Sequence, residues 1–202
     1  MKISCYTGGM VQTNGYLVET PEGNFVIDAP EAISDWILSK GVRVDEVLLT
    51  HQHYDHVQGA AKLQALGAKI SAFAHHSTDL TLETAARNWG MPIVVHKYGV
   101  DERIDPAAPI VICGQPIRVA HVPGHSPDSI TFYFKDEGVV FAGDTLFAGS
   151  VGRTDLPGGS TETLISGIQE HLLTLPPETR VLSGHGPETT IGQEARTNPF
   201  VR

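Results

Sequence analysis

The sequence predicts an α/β protein with sheets in the middle and helices outside. Three observations carry this. Strand-length apolar runs and helix-period segments alternate in both halves of the chain. Several of the strand candidates form hairpin-like pairs. Glycine and proline, 21 and 13 of 202 residues, break the chain into short elements joined by many turns.

The elements follow in order. Tyr16–Val18 and Phe25–Asp28 read as strands joined by the turn Pro21-Glu22-Gly23-Asn24. Pro30–Lys40 reads as a helix, with Ile33, Trp36 and Ile37 on one face and Gly41 as its stop. Val44–Leu49 is a buried strand, His51–His56 a polar link, Val57–Leu66 a helix closed by Gly67, and Ile70–Ala74 a strand. Ser77–Trp89 is expected to be helical, closed by Gly90 and Pro92. Four more strands are predicted: Ile110–Cys113, Ile117–Val122, Ile130–Phe134 and Val139–Ala142. Residues 143–160 form a Gly-rich loop of a length usually kept for function. Ser160 caps a helix running to about Leu175. Val181–Ser183 is the last strand expected, before Gly184-His185-Gly186-Pro187 and a short terminal helix.

Composition narrows the function. The chain is long enough for a core without staples. Charged residues are 18% and hydrophobic residues 41%, which excludes a solvated disordered chain. The net charge of −9 argues against a nucleic-acid partner. No apolar run reaches the length of a membrane helix, and Met1–Cys5 shows no secretory signal, so a cytoplasmic protein without a membrane partner is expected. Cys5 and Cys113 are read as buried thiols of a reducing compartment. A homo-oligomer is compatible with all of this. The unusual count is histidine, 10 in 202.

His51-Gln52-His53-Tyr54-Asp55-His56 packs four ligand-type side chains into six residues between a strand and a helix. Such a junction lies at the carboxyl end of a strand, where α/β sheets place ligands. Alternate residues of extended backbone share a face, so His51 and His53 can grip one ion. Asp55 and His56, where the chain turns into the helix, can reach a second. Imidazole with carboxylate suits zinc, iron or manganese rather than calcium. Three further ligand types each follow a strand and a glycine: His125, Asp144 and His185. Seven such side chains on one rim suffice for two ions with open positions, if one carboxylate bridges.

With His51–His56, Pro123-Gly124-His125-Ser126, Gly143-Asp144, Gly184–Pro187, Phe147–Pro157 and Thr197–Phe200, the chain resembles the metallo-β-lactamase superfamily. Within it, the chain looks like the short bacterial glyoxalase II (hydroxyacylglutathione hydrolase) group. The resemblance implies a four-layer αββα sandwich over residues 1–202, a single domain of two similar halves with no C-terminal helical extension. It implies His51, His53 and His125 on one divalent ion, Asp55, His56 and His185 on another, and Asp144 bridging both. Zinc is the metal expected, with iron or manganese as alternatives. The implied activity is hydrolysis of a small-molecule acyl thioester of the S-lactoylglutathione type, by a hydroxide shared between the ions. Asp55 and Asp144 would orient that hydroxide and shuttle its proton.

Three departures from the group stand out. Ser126-Pro127-Asp128 replaces Thr-Pro-Gly, which adds a carboxylate near the site and is expected to bear on substrate charge preference. Gly15 replaces a cysteine in the early strand. The extension that supplies glutathione contacts in longer enzymes is not expected here. The rivals are a mononuclear-iron persulfide dioxygenase, which would use His51, His125 and Asp144 and shares the Gly152–Asp155 run, and a lactone hydrolase with the same seven ligands. β-Lactamases lack the aspartate at the position of Asp144. A nuclease would want a basic surface, and a non-catalytic module would be expected to have lost ligands.

Other residues carry two readings each. Tyr54 either faces substrate or packs under its loop. Arg153 and Asp155 either bind an anion or hold their own loop, the second reading leading. His75 and His76 are expected to be pocket residues rather than ligands, His121 a core or supporting residue, and His96 and His171 surface histidines. Asn14 is expected to tie a turn near the rim, and Phe200, after Pro199, to pack the terminus down.

Overall fold

The computed structural model describes residues 1–91 and 93–201. Pro92, expected to help close the helix after Trp89, and Arg202 lie outside the described residues.

The first sheet takes its strands from residues 2–103. They are β1 (Lys2–Gly8), β2 (Thr13–Thr20), β3 (Gly23–Ile27), β4 (Glu46–Leu48), β5 (Lys69–Ala72) and β6 (Glu102–Arg103), in that spatial order. The first three are antiparallel and the rest run parallel to β3. Helices α1 (Ile33–Ser39), α2 (Tyr54–Val57), α3 (Ala60–Ala65) and α4 (Glu83–Asn88) interrupt this half. The second half supplies β7 (Ile110–Ile112), β8 (Gln115–His121), β9 (Ile130–Phe134) and β10 (Val139–Gly143). The pair β11 (Leu146–Phe147) and β12 (Ser150–Val151) forms a small hairpin, followed by α5 (Thr161–Gly167), β13 (Arg180–Ser183), β14 (Thr189–Thr190) and α6 (Ile191–Thr197). The second sheet runs β14-β13-β10-β9-β8-β7.

Period-2 alternation explains the layering. Tyr16, Val18, Phe25, Ile27 and Leu48 point inward and meet Phe132, Phe134, Phe141 and Leu182 of the other sheet. Phe25 stacks on Phe134 at 5.9 Å, joining the two sheets at their centre. Leu17, Val26, Val47 and Ile70 point outward onto Ile33 and Ile37 of α1 and Leu63 of α3. On the opposite outer face Val140, Ala142 and Val181 pack against Leu164, Ile168 and Ile191. The result is four layers, helix–sheet–sheet–helix. Among the described residues no helix is long and apolar enough to cross a membrane.

Most expected elements appear, with differences at their ends. Ser160 caps α5 as expected, its hydroxyl accepting the Thr163 amide, and the helix runs on as one π-turn over Ile168–Leu172. The helix expected over Ser77–Trp89 is short, because Leu82 sits in left-handed backbone (φ 62°) directly before α4. The strand expected to end at Asp28 stops at Ile27, since Asp28 itself is left-handed (φ 58°). Val181–Ser183 is not the last strand, because β14 follows and pairs antiparallel with β13. The cysteine reading needs correction. Cys5 is exposed and Cys113 half-buried, since each lies where a sheet edge meets solvent rather than inside a layer. The terminus is pinned not by Phe200, which is exposed, but by buried Val201 and the Asn198 amide, which donates to Ser150 O and Glu194 Oε2.

Candidate metal centre

Parallel strands and their neighbours end at one rim. His51, His53, Asp55 and His56 follow β4, His125 follows β8, Asp144 follows β10, and His185 follows β13. Two sharp backbone features make the convergence possible. Gly143 has φ +50°, and a side chain there would strike Thr50. Gly184 lies so close to Asp144 Oδ1 and His56 Cε1 that any Cβ would overlap them.

The structure gathers His51, His53 and His125 in one group and Asp55, His56 and His185 in a second, with ligand atoms in each within 4.8 Å of one another. The rings of His53 and His125 lie 4.5 Å apart, those of His51 and His53 4.6 Å, and those of His51 and His125 5.0 Å. Asp144 reaches both groups, with Oδ2 3.5 Å from His125 Nε2 and 3.3 Å from His185 Nε2, and Oδ1 3.3 Å from His56 Nε2. Asp55 Oδ2 lies 3.4 Å from His56 Nε2 and 3.3 Å from His185 Nε2.

The rings are held from behind through Nδ1. His56 contacts Asp28 Oδ2 at 2.8 Å, His125 the Arg153 carbonyl at 2.8 Å, and His185 the Val11 carbonyl at 3.1 Å. His51 Nδ1 lies 3.2 Å from Thr50 Oγ1, which itself donates to Asp28 Oδ2. Thr13 Oγ1 donates to Asp55 Oδ2 at 2.6 Å. These partners orient the rings of His51, His56, His125 and His185 with Nε2 turned away from them, as metal ligation demands.

The donor set fits divalent ions. His51 Nε2, His56 Nε2, His125 Nε2 and Asp144 Oδ1 are buried without a hydrogen-bond partner. Buried polar atoms are normally paired, so four orphans within these adjoining groups indicate ligands to be bound. The charges agree. Burial, with the neighbouring imidazoles, pushes His51 well below its usual range and His53 down to about 3, so both are neutral and ready to ligate. Burial opposes the charge on His56, but Asp55, Asp144 and Asp28 overcome it and raise its pKa well above normal. His185 is likewise raised to about 10, against burial, by Asp144 and Asp55. The same cations outweigh burial to hold Asp55 down at about 2 and Asp144 well below the carboxylate range. The protein alone thus pairs two carboxylates with protonated histidines where cations would sit.

A cleft of about 500 Å³ opens over both groups. Tyr54 lines it while also packing on the first-half core. Arg153 also lines it, but its Nε and Nη2 donate to Asp155 at 2.7 and 2.8 Å.

The expectation for Asp128 is corrected. It does not line the cleft but is buried, accepting from Ser126 Oγ and from Gln52 Nε2 at 3.2 Å. Gln52 also accepts from Tyr98 OH at 2.8 Å. Asp128 therefore ties the His125 loop to the His51–His53 loop, because the residue after Pro127 turns inward rather than toward substrate. His76 packs edge-on against Tyr98 and His121 stacks on Phe73, both outside the ligand groups. The Asn14 amide donates to Ser183 O and Gly186 O, tying down the His185 turn. Asp28, Thr50 and Thr13 escaped the sequence reading. The available signal was position, since Asp28 and Thr50 each lie just beyond a strand that ends at this rim.

With that geometry established, comparison with known proteins places the chain in a class. The model of the metallo-β-lactamase superfamily matches residues 8–185. The chain belongs to that superfamily, among its metal-dependent hydrolases. It is similar to a hydroxyacylglutathione hydrolase, GloC, of Haemophilus influenzae, 36% identical over 94% of this chain and 93% of that one. Two crystal structures are alike throughout. One is TTHA1623 in a di-iron-bound form, with 43% identity, a TM-score of 0.83, and 98% and 99% of the two chains covered. The other is the B3 metallo-β-lactamase BLEG-1, with 33% identity, a TM-score of 0.88, and 99% of each chain covered.

Proposed function

We propose that this chain hydrolyses acyl thioesters of the S-lactoylglutathione type at a centre of two divalent metal ions, zinc in the first instance, with iron or manganese suiting the same donors. The observation that carries the reading is the cluster of buried, unpartnered imidazole nitrogens shared around Asp144. In this reading His51, His53 and His125 would hold one ion and Asp55, His56 and His185 the other, with Asp144 within reach of both groups. Bound ions would supply a nucleophilic hydroxide at neutral pH and polarise a carbonyl oxygen.

The chain's own residues do the rest. Asp55, kept ionised and steadied by Thr13, orients the attacking oxygen from one side. Asp144, lying between the two groups, would orient it from the other, and the two carboxylates would shuttle its proton. The backbone carbonyls of Val11 and Arg153, with Asp28 and Thr50, keep the rings from rotating during turnover. A thiolate leaves without a strong general acid, which suits walls that are mostly apolar around the ligands. The likeness to GloC supports the thioester class, and the di-iron form of TTHA1623 supports two ions. Free thiols at Cys5 and Cys113 suit a reducing compartment, and we assign the protein to the cytoplasm.

The test is hydrolysis of S-D-lactoylglutathione, followed as loss of thioester absorbance, by metal-loaded protein against a chelated control. Metal-dependent turnover is expected. Two bound ions with turnover of lactones or a β-lactam, but of no thioester, would refute the substrate class. One iron per chain, with oxygen consumed on a persulfide, would refute hydrolysis itself.

A further inference from the structure

We infer that Glu194 and Asn198, on and just after the C-terminal helix α6, are positioning residues for one substrate-binding wall of the cleft. They hold the tip of the β11–β12 hairpin, and through it Phe147, and so set how tightly the cleft binds its thioester. The inference rests on the thioesterase reading above and adds to it the residues that fix this wall.

The hairpin needs support from outside. Its strands are two residues each, joined by the turn Ala148-Gly149, and a ribbon of that size does not hold its own shape. Yet Phe147, Ser150 and Val151 all line the cleft, and the Phe147 ring meets that of His185 edge-on at 6.1 Å. The base of the hairpin is secured by its own contacts. Ser183 Oγ donates to the Leu146 carbonyl at 2.7 Å, and Gly152 N to the Thr145 carbonyl at 3.1 Å. The tip is secured from α6. Gly149 N donates to Glu194 Oε2 at 2.9 Å, and Asn198 Nδ2 donates to the Ser150 carbonyl at 2.9 Å.

Glu194 and Asn198 are both fully buried. Asn198 Nδ2 also donates to Glu194 Oε2 at 2.8 Å, and Thr189 Oγ1 donates to Glu194 Oε1. The three partners of this carboxylate are all uncharged donors, and a buried carboxylate is costly unless such bonds are made. Its burial is therefore tied to the hairpin amide staying in place. The segment Thr197–Phe200, which the metal centre leaves without a role, gains one here: Asn198 reaches the hairpin with its amide nitrogen while its Oδ1 accepts from Phe200 N at 3.0 Å. Because the base of the hairpin is held independently of α6, losing the tip contacts moves the Phe147 wall and leaves the metal ligands where they are. Substrate binding then weakens more than the chemical step.

The experiment compares zinc-loaded full-length wild type with Glu194→Ala, Glu194→Gln and Phe147→Ala on S-D-lactoylglutathione. Glu194→Ala should raise KM about five- to twentyfold, with kcat within about threefold and two zinc ions still bound. Glu194→Gln should stay within about twofold of wild type, because its amide oxygen can accept from Gly149 N and Asn198 Nδ2 while its nitrogen donates to Thr189 Oγ1, a hydroxyl that also accepts. Phe147→Ala should raise KM to a similar extent, and adding Glu194→Ala to it should cost little more, since both act on one wall. Asn198→Ala, which keeps the bond from Gly149 N to Glu194, should shift KM in the same direction and replaces Glu194→Ala if that variant does not fold. Hydrogen exchange reads the brace without activity: amides over residues 146–151 should exchange about tenfold faster in Glu194→Ala than in wild type or Glu194→Gln. Unchanged exchange in Glu194→Ala, faster exchange with KM unmoved, or fully additive losses in the double variant would each overturn the inference and leave the thioesterase reading standing. Wild type with two zinc ions bound and no turnover would overturn that reading, and with it the role assigned here in thioester binding.

Discussion

Replacing Asp28 by Asn removes one negative charge from beneath the second ligand group and keeps the shape of the side chain. Asp28 is buried, and its left-handed backbone (φ 58°) is one that Asn also tolerates. Its carboxylate accepts three bonds: Thr50 N at 2.8 Å on Oδ1, and Thr50 Oγ1 at 2.7 Å and His56 Nδ1 at 2.8 Å on Oδ2. An amide offers one accepting oxygen and one donating nitrogen. If the oxygen faces His56, the nitrogen meets the Thr50 amide donor. If it faces Thr50 N, the His56 bond is lost. Either way one buried donor goes unpaired, at about 1–3 kcal/mol of stability. The orientation and basicity of His56 suffer more than those of His53 or His125, which Asp28 does not touch. The affinity of the ion held by Asp55, His56 and His185 should fall about 10–100-fold, the usual cost of losing a carboxylate behind a ligating histidine. The ion on the His51, His53 and His125 side, which Asp28 reaches only through Thr50 Oγ1 behind His51, should lose less. Zinc titration against a chelator resolves the two affinities, and the thermal midpoint of metal-free protein reports the stability cost separately. Two zinc affinities both at wild-type values would refute the support assigned to Asp28. An equal loss at both sites would refute its selectivity.

Further outcomes follow from the same geometry. Gly184→Ala should abolish binding of at least one ion while far-ultraviolet circular dichroism persists, because its Cβ overlaps Asp144 Oδ1 and His56; normal metal content would contradict this crowding. Asp128→Ala leaves Gln52 Nε2 and Ser126 Oγ short of a buried partner, and should cost about 1–3 kcal/mol in denaturant unfolding, with Asp128→Asn milder. Metal-free protein should lose stability as pH rises from 7 toward 10. His185 has a folded pKa of about 10 against about 6.5 unfolded, so its contribution is complete below 6.5 and gone above 10. Zinc affinity should rise over the same pH range, since ligation needs neutral imidazole. Melting curves with and without chelator check both signs, and parallel curves would sink the idea.

Much of this protein is written in local order. The spacing His51-x-His53-x-Asp55-His56 needs nothing beyond extended backbone turning into a helix to present four donors together. The apolar alternation of Leu17 and Val18, or Val26 and Ile27, already separates an outward face from an inward one. Serine at position 160 announces its helix because a cap acts on its own first turn. Short edge strands were illegible for the converse reason. The strands β6 and β14 are two residues each, too short to show a period, and β1, paired on one side only, is exposed or half-buried along its length.

The remainder belongs to packing across long separations. Nothing near Asp28 in the chain says that it supports His56, 28 residues on, since that meeting depends on β3 and β4 lying parallel and ending together. Asp128 looked like a charge at the site because its neighbours are loop residues, whereas the fold turns it inward onto Gln52, 76 residues away. Cys5 read as buried from its residue type, and only the sheet edge exposes it. Ligand identity is a matter of short-range spacing and side-chain chemistry, which sequence carries directly. Which carboxylate faces the cleft and which one braces a loop are decided by contacts between segments far apart in the chain, and those exist only once the two sheets have closed on their shared core.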